Sequence, residues 1–353
     1  MKKLLPVISK KIKESFIYYS LGLILNKEKQ TCSKLASVVK KSHDFLYRFL
    51  LKSKILIPLF PNLMIAIINH CSKDDEGWLI LDDTFLSKIF SKLLEGVCII
   101  FNNSMSRPER GLCIIVLAWS NGRVTIPIAF DWYFPKEITE NCYKKKSEIA
   151  EKLISEYHKK VPYKYFLADA HYATKDLIPF MCRKKIKFVM KIPRSRKVKT
   201  KKFNVQLKLN PALKLLRNQR SAKIFAEYAG CNLYFSIQKR KDKNGEYSTV
   251  FLISNMNLKA KEYLIIYDGR WHIEVMFRTL KQSLGLSQCQ SRNLEYQKAH
   301  IYSSFFSYGF IQYEKETYSF KNPEVTIKHL SGLKLNHAIK RINAFSGNFH
   351  HVA

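Results

Sequence analysis

The sequence predicts a mixed α/β fold, a sheet carrying both strand directions, interrupted by a β-rich insertion and flanked by helical N- and C-terminal regions. Three observations predict it. Between residues 77 and 192, short apolar runs bounded by turn residues alternate with helical patterns. A second block, at 224–236 and 248–253, has strand-like runs without intervening helices. Both ends of the chain carry helical periodicity. The expected boundaries are 1–72 for a basic helical region, 73–192 for the first part of the core, 193–261 for the insertion, 262–300 for a core helix and 301–353 for the C-terminal helices.

Within the first region, residues 32–40 and 42–51 read as two short helices around Lys40-Lys41, with Ser42 as N-cap of the second. Leu46, Phe49 and Leu50 give that helix an apolar side, and His43, Tyr47 and Arg48 a polar one. The pattern suits a helix-turn-helix reader of DNA or a plain helical hairpin. From Gly77 onward, Trp78-Leu79-Ile80-Leu81 reads as a buried strand. The runs 112–119 and 124–132 form a hairpin across Asn121-Gly122. A helix at 144–158, a strand at 163–168, a helix at 175–182 and a strand at 186–192 follow. Residues 263–284 read as one long helix.

Charge narrows the function. Lys and Arg number 61 against 28 Asp and Glu, a formal net charge of +33, spread along the chain. Such an excess repels itself unless a polyanion is at hand, and nucleic acid is the partner that fits. A membrane surface fits less well, because the excess is not gathered on one amphipathic helix. The eight cysteines form no Cys-x-x-Cys pair and read as reduced core residues, Cys98 within an apolar run among them, which predicts a cytoplasmic protein without a zinc site; with DNA as partner, it is expected on the nucleoid.

The chemistry lies in three carboxylates. Leu79, Leu81 and Asp83 share one face of a strand by the two-residue period, as do Tyr165, Leu167 and Asp169, and each strand is expected to stop at its aspartate. Ligands of open α/β sheets bind beyond the carboxyl ends of strands. Asp82, on the opposite face from Asp83, is expected to be structural or to support the ligands from behind. At about 100° per residue, Tyr267, Arg270, Glu274, Arg278 and Lys281 fall in one narrow stripe of the long helix, while Ile273, Met276, Phe277, Leu280 and Leu284 face a core. Three carboxylates on separate elements can hold two divalent cations of the hard, oxygen-seeking kind used in phosphodiester chemistry, with neighbouring cations on the DNA phosphates.

Tyr267-x2-Arg270-x3-Glu274-x6-Lys281 resembles the Y-R-E-K signature of DDE transposases of the IS4 group. Leu81-Asp82-Asp83-Thr84 is similar to that group's first catalytic motif, where the aspartate precedes threonine, and Leu167-Ala168-Asp169-Ala170-His171-Tyr172-Ala173 to its second. The resemblance covers about residues 78–300. It implies an RNase H-like core interrupted by a β insertion, acting as a homodimer on terminal inverted repeats and target DNA. It further implies Asp83, Asp169 and Glu274 as catalytic ligands of two Mg²⁺ ions, with Mn²⁺ able to substitute. Tyr267, Arg270 and Lys281 would touch DNA phosphate, and cleavage would pass through hairpin ends. Relatives stack an extruded base on a tryptophan of the insertion; this chain has none there, leaving Tyr234, Phe235 or Tyr247 for that role. Arg278, and the acid-free run with Arg194, Arg196, Lys197, Lys199, Lys201 and Lys202, are further expected DNA contacts. A DNA-binding protein that no longer cuts, or a nuclease on the same fold, are the alternative functions.

Overall fold

A computed structural model describes residues 10–72, 75–102, 105–139, 143–199, 206–208, 219–241 and 245–347. Lys201, Lys202, Cys142 and Asn244 lie outside these.

Four helices open the chain: α1 (Lys10–Leu25), α2 (Cys32–Val39), α3 (His43–Lys52) and α4 (Phe60–Ser72). The Ser42 hydroxyl accepts from the Phe45 amide, capping α3 as its sequence predicts. Lys40 ends α2 in the left-handed region, φ 53°, which turns the chain sharply into α3. His43, Tyr47 and Arg48 stay exposed while Leu46, Phe49 and Leu50 are buried.

The sheet begins with β1 (Gly77–Ser87), β2 (Cys98–Asn102), β3 (Arg107–Ser120) and β4 (Thr125–Tyr133). β3 and β4 form the expected hairpin, with Gly122 at φ 88° in its turn. After α5 (Lys136–Thr139) and α6 (Lys146–Tyr157) come β5 (Tyr163–Ala168), α7 (Leu177–Arg183) and β6 (Phe188–Lys191). β1, β5 and β6 are parallel neighbours, and β3 runs antiparallel to β1 with β4 beyond it. The resulting order β4–β3–β1–β5–β6 is the RNase H-like arrangement.

Two sequence expectations change here. β1 does not stop at Asp83: Thr84, Phe85 and Leu86 continue to pair with β3, so the aspartate lies within the strand. β2 was not foreseen, and Cys98 on it is half-exposed rather than in the core.

The insertion comprises β7 (Lys197–Lys199), β8 (Gln206–Lys208), β9 (Ser221–Tyr228), β10 (Cys231–Lys241) and β11 (Tyr247–Ser254). The run expected as one strand at 224–236 is a hairpin, broken where Ala229 and Gly230 both take positive φ. These strands extend the central sheet, because β11 pairs antiparallel with β6.

The long helix expected at 263–284 is two helices, α8 (Glu262–Asp268) and α9 (Trp271–Gln282). The break falls at Gly269, where an added Cβ would lie 2.8 Å from the indole of Trp78. The apolar side of α9 is buried as its period predicts. α10 (Leu294–Thr317), α11 (Pro323–Gly332) and α12 (Leu335–Gly347) complete the chain. α10 is buried along most of its length, and Ser303, Ser304 and Ser307 satisfy their hydroxyls on carbonyls four residues back.

The terminal helices share one core. Phe16 of α1 packs on Phe306 of α10, Ser307 donates to the Ser20 carbonyl, and His300 joins the Tyr19 hydroxyl at 2.8 Å. Phe130 of β4 meets Tyr302 and Phe305, so this helical layer covers the sheet face that bears the even-numbered residues of β1. Among the described residues no single helix is long and apolar enough to cross a membrane.

Candidate active site

The strand period separates the two aspartates of β1. Asp83 points toward α6 and the segment after β5; Asp82 points toward α9. Lys146, the first residue of α6, donates from Nζ to Asp83 Oδ2 at 2.9 Å, and the Tyr172 hydroxyl donates to Oδ1 at 3.0 Å. The Cys113 thiol of β3 lies 3.8 Å from the same carboxylate. On the other face, Arg270 Nη1 donates to Asp82 Oδ2 at 2.7 Å, and its Nη2 reaches Glu274 one turn along. Asp169 immediately follows β5, and the Tyr267 hydroxyl donates to it at 3.4 Å.

Electrostatics tie these groups together. Burial pushes the Asp82 carboxyl up to about 7, against the pull of Arg270 and with the help of Asp83 and Asp169. Burial pulls the Lys146 ammonium down, and Cys113 and Asp83 more than restore it. Burial lowers Lys281, which still feels Cys113, Asp82 and Asp83. Crowded carboxylates of this kind call for positive charge, and Lys146 and Arg270 supply it.

Oxygen donors on β1, after β5 and on α9 are of the type that hard divalent cations take. Their present side-chain arrangement is one of ion pairs: among the described residues, no group of three or more His, Cys, Asp and Glu side chains stands ready to enclose a metal ion. Two expected phosphate contacts are also engaged inward. Tyr267 is buried, and Arg270 is held between two carboxylates. Arg278 is exposed, stacked over Trp271, and Lys281 is half-buried. Asp82, expected to be structural or to support the ligands from behind, is the buried carboxylate that Arg270 links to Glu274.

The basic run lies apart, along β7. Arg194 and Lys197 are exposed, and Arg196, Lys197 and Lys199 line a cavity of about 430 Å³ with Lys175 and Tyr228. Of the aromatics of the insertion, Phe235 is buried in the core and so is removed as a base-stacking residue. Tyr234 packs on Phe225, while Tyr247 is 59% exposed.

Sequence reasoning missed Lys146 and Tyr172. Tyr172 sits in a motif already singled out. Lys146 left a fainter signal, a cation in the first turn of a helix, where the helix dipole disfavours positive charge.

No curated protein matches the chain in sequence. Two family models do match: the transposase DDE domain over residues 136–310, and the DDE superfamily endonucleases over residues 3–208. The first spans Asp169 and Glu274, the second Asp82 and Asp83. These families use divalent metal ions and act on DNA. With more than half of its length matched by the second, this chain belongs to the DDE superfamily endonucleases.

Proposed function

We propose that the protein is a cut-and-paste transposase that cleaves DNA at terminal inverted repeats and joins the freed ends to target DNA. The observation that supports this reading is the match to the transposase DDE domain and the DDE superfamily endonucleases over stretches in which β1, the end of β5 and α9 each carry a carboxylate. Asp83 of β1, Asp169 after β5 and Glu274 of α9 are connected through Asp82, which feels Asp83 and Asp169 and meets Glu274 through Arg270. In this reading Asp83, Asp169 and Glu274 hold two Mg²⁺ ions, or Mn²⁺ in their place. Bound there, such ions would supply activation of the attacking oxygen and stabilisation of the leaving one.

The chain's own residues do the rest. Tyr172 and Lys146 orient Asp83, and Tyr267 orients Asp169. Arg270 must leave at least one of its carboxylates for Glu274 to serve as a ligand; an incoming phosphate offers it a bidentate partner. Lys281, beside the same group of carboxylates, and exposed Arg278 extend the cationic face for DNA. A homodimer on DNA and hairpin ends belong to the same proposal, with Tyr247 as the aromatic of the insertion free to stack a base.

A second reading of the first ligand is favoured by one observation: Arg270 joins Asp82, not Asp83, to Glu274. In it Asp82 is the ligand and Asp83 anchors Lys146.

The test is a cleavage assay on a duplex carrying the flanking repeat, with Mg²⁺, Mn²⁺ or EDTA. The wild type should cut at the repeat boundary with metal only, and Glu274→Gln should bind without cutting. Equal cutting by Glu274→Gln would sink the proposal; binding without cutting by the wild type would leave a DNA-binding protein. Loss of cutting in Asp83→Asn but not in Asp82→Asn supports the first assignment, and the reverse supports the second. Failure to join cut ends to target DNA would make it a nuclease.

A further inference from the structure

β2 and the start of β3 run out beyond the body of the sheet. β1 last pairs with β3 at Ser87 and Gly111, so residues 107–109 of β3 have β2 alone beside them, and the two strands continue as a ribbon. Residues directly opposite in such a pair share a face. One face sets Ile100 against Glu109 and Asn102 against Arg107, and it is tied down: Glu109 and Asn102 are buried, and Ser87 and Asn102 both donate to the Glu109 carboxylate. The other face bears Ile99 and Phe101, which are 67% and 57% exposed. Met105 beyond β2, and Ile89, Phe90 and Leu93 in the loop before it, are exposed as well, Phe90 at 95%. At about 200 Å² for a fully exposed large apolar residue, these six leave on the order of 700 Å² in water, close to the roughly 800 Å² that each partner buries in a standard interface.

Apolar surface of this extent marks a place where another molecule sits. DNA fits it poorly, because surfaces that take DNA are strongly cationic and all six side chains are apolar. β2 is also the outermost strand at its end of the sheet, with no strand beyond it among the described residues, so its outer edge offers amides and carbonyls for pairing. We propose that this ribbon is the contact between two copies of the chain, the β2 edges pairing antiparallel about a two-fold axis at Ile100. The edge is self-complementary there. Ile99 and Phe101 flank the axis symmetrically, so Ile99 of each copy meets the partner's Phe101 and all four side chains lie on one face. Each copy carries a formal charge of +33, so contact over most of the surface sets like charges together; an apolar ribbon lets two copies meet at least cost. The inference deepens the homodimer of the proposed function and rests on that reading for its second copy; it needs neither cleavage nor a cation.

Dissociation of the dimer is measured by analytical ultracentrifugation of the full chain, with and without DNA and across a range of KCl, on the wild type, Phe101→Glu and Ile100→Cys. The wild type should be a dimer without DNA, tightening as KCl screens the repulsion between copies. Phe101→Glu should weaken it roughly a hundredfold or more, since a two-fold contact carries each change twice. Phe101 is exposed in the single chain, so thermal unfolding of the monomer should not move. Ile100→Cys, oxidised with diamide, should give a disulfide-linked dimer that the wild type does not, because residue 100 then lies opposite itself within reach of an S–S bond. This cross-link carries the test if Phe101→Glu fails to fold, and its absence overturns the proposal. A wild type that stays monomeric without DNA overturns it, as does one that dimerises only on DNA and separates as KCl rises. A Phe101→Glu dimer of wild-type strength places the contact elsewhere and also overturns it, leaving the homodimer reading intact; loss of DNA binding in that unchanged dimer makes the ribbon a DNA contact instead. A dimer that Phe101→Glu dissociates but that never cuts DNA supports this interface while counting against the transposase reading.

Discussion

His300 provides a way to test whether the terminal helices and the catalytic helix form one cooperative unit. It is fully buried on α10, bonded through Nδ1 to the Tyr19 hydroxyl of α1 and through Nε2 to the Gly285 carbonyl just after α9, each at 2.8 Å. Burial lowers its pKa from 6.5 to about 4. The sign follows from proton counting. Below pH 6.5 the unfolded chain protonates this imidazole and the folded chain does not, so stability is full above 6.5 and is lost as pH falls toward 4. The shift corresponds to roughly 3 kcal/mol in all, with about 2 kcal/mol of it lost between pH 7 and pH 5. Asp82 works in the opposite sense: its carboxyl, raised to about 7, makes the folded state gain stability as pH falls. The wild type's own pH dependence therefore mixes the two, and a difference is needed. His300→Gln keeps donor and acceptor capacity but cannot titrate. Urea unfolding of both proteins at pH 7, 6 and 5 should show the wild type losing about 2 kcal/mol more than the variant over that range. Parallel pH profiles would refute the reasoning. Separate transitions for the terminal helices and the sheet would refute the single cooperative core.

Other outcomes follow from single elements. Gly285 sits at φ +59° with a would-be Cβ 2.3 Å from Gln30 Cγ; Gly285→Ala should cost about 1–3 kcal/mol by thermal unfolding, and a neutral effect would show that the loop between α1 and α2 and the turn after α9 are not held tightly. Ser42→Ala removes the cap on the Phe45 amide and should cost about 1 kcal/mol. A loss of DNA affinity much larger than this fold destabilisation would place the cap itself at the DNA. Replacing Arg194, Arg196 and Lys197 with alanine should flatten the log–log salt dependence of DNA binding by about 0.9 for each phosphate these side chains neutralise; an unchanged slope would make the run a solvated edge.

The amino-acid pattern by itself determined the local character of this chain. Two-residue and 3.6-residue periods, turn residues and a serine cap are nearest-neighbour signals, so the β3–β4 hairpin, the strand ending at Asp169, the cap on α3 and the buried side of α9 were all legible. Composition likewise carried the partner, because a charge of +33 needs no folding to be counted. Where a signal depended on contacts far along the chain, local reading failed. Nothing near Asp83 announces that β3 extends β1 past it, and nothing near Gly269 announces the Trp78 indole that packs against it where α8 gives way to α9. The insertion strands look self-contained until β11 is seen against β6. The site divides in the same way. Alternation along β1 placed Asp82 and Asp83 on opposite faces, but which cation meets each depends on the packing of α6 and α9 on opposite sides of the sheet. Lys146 and Asp83 are 2.9 Å apart only because α6 packs against the sheet, and a pairing made by that packing leaves no mark in a local pattern.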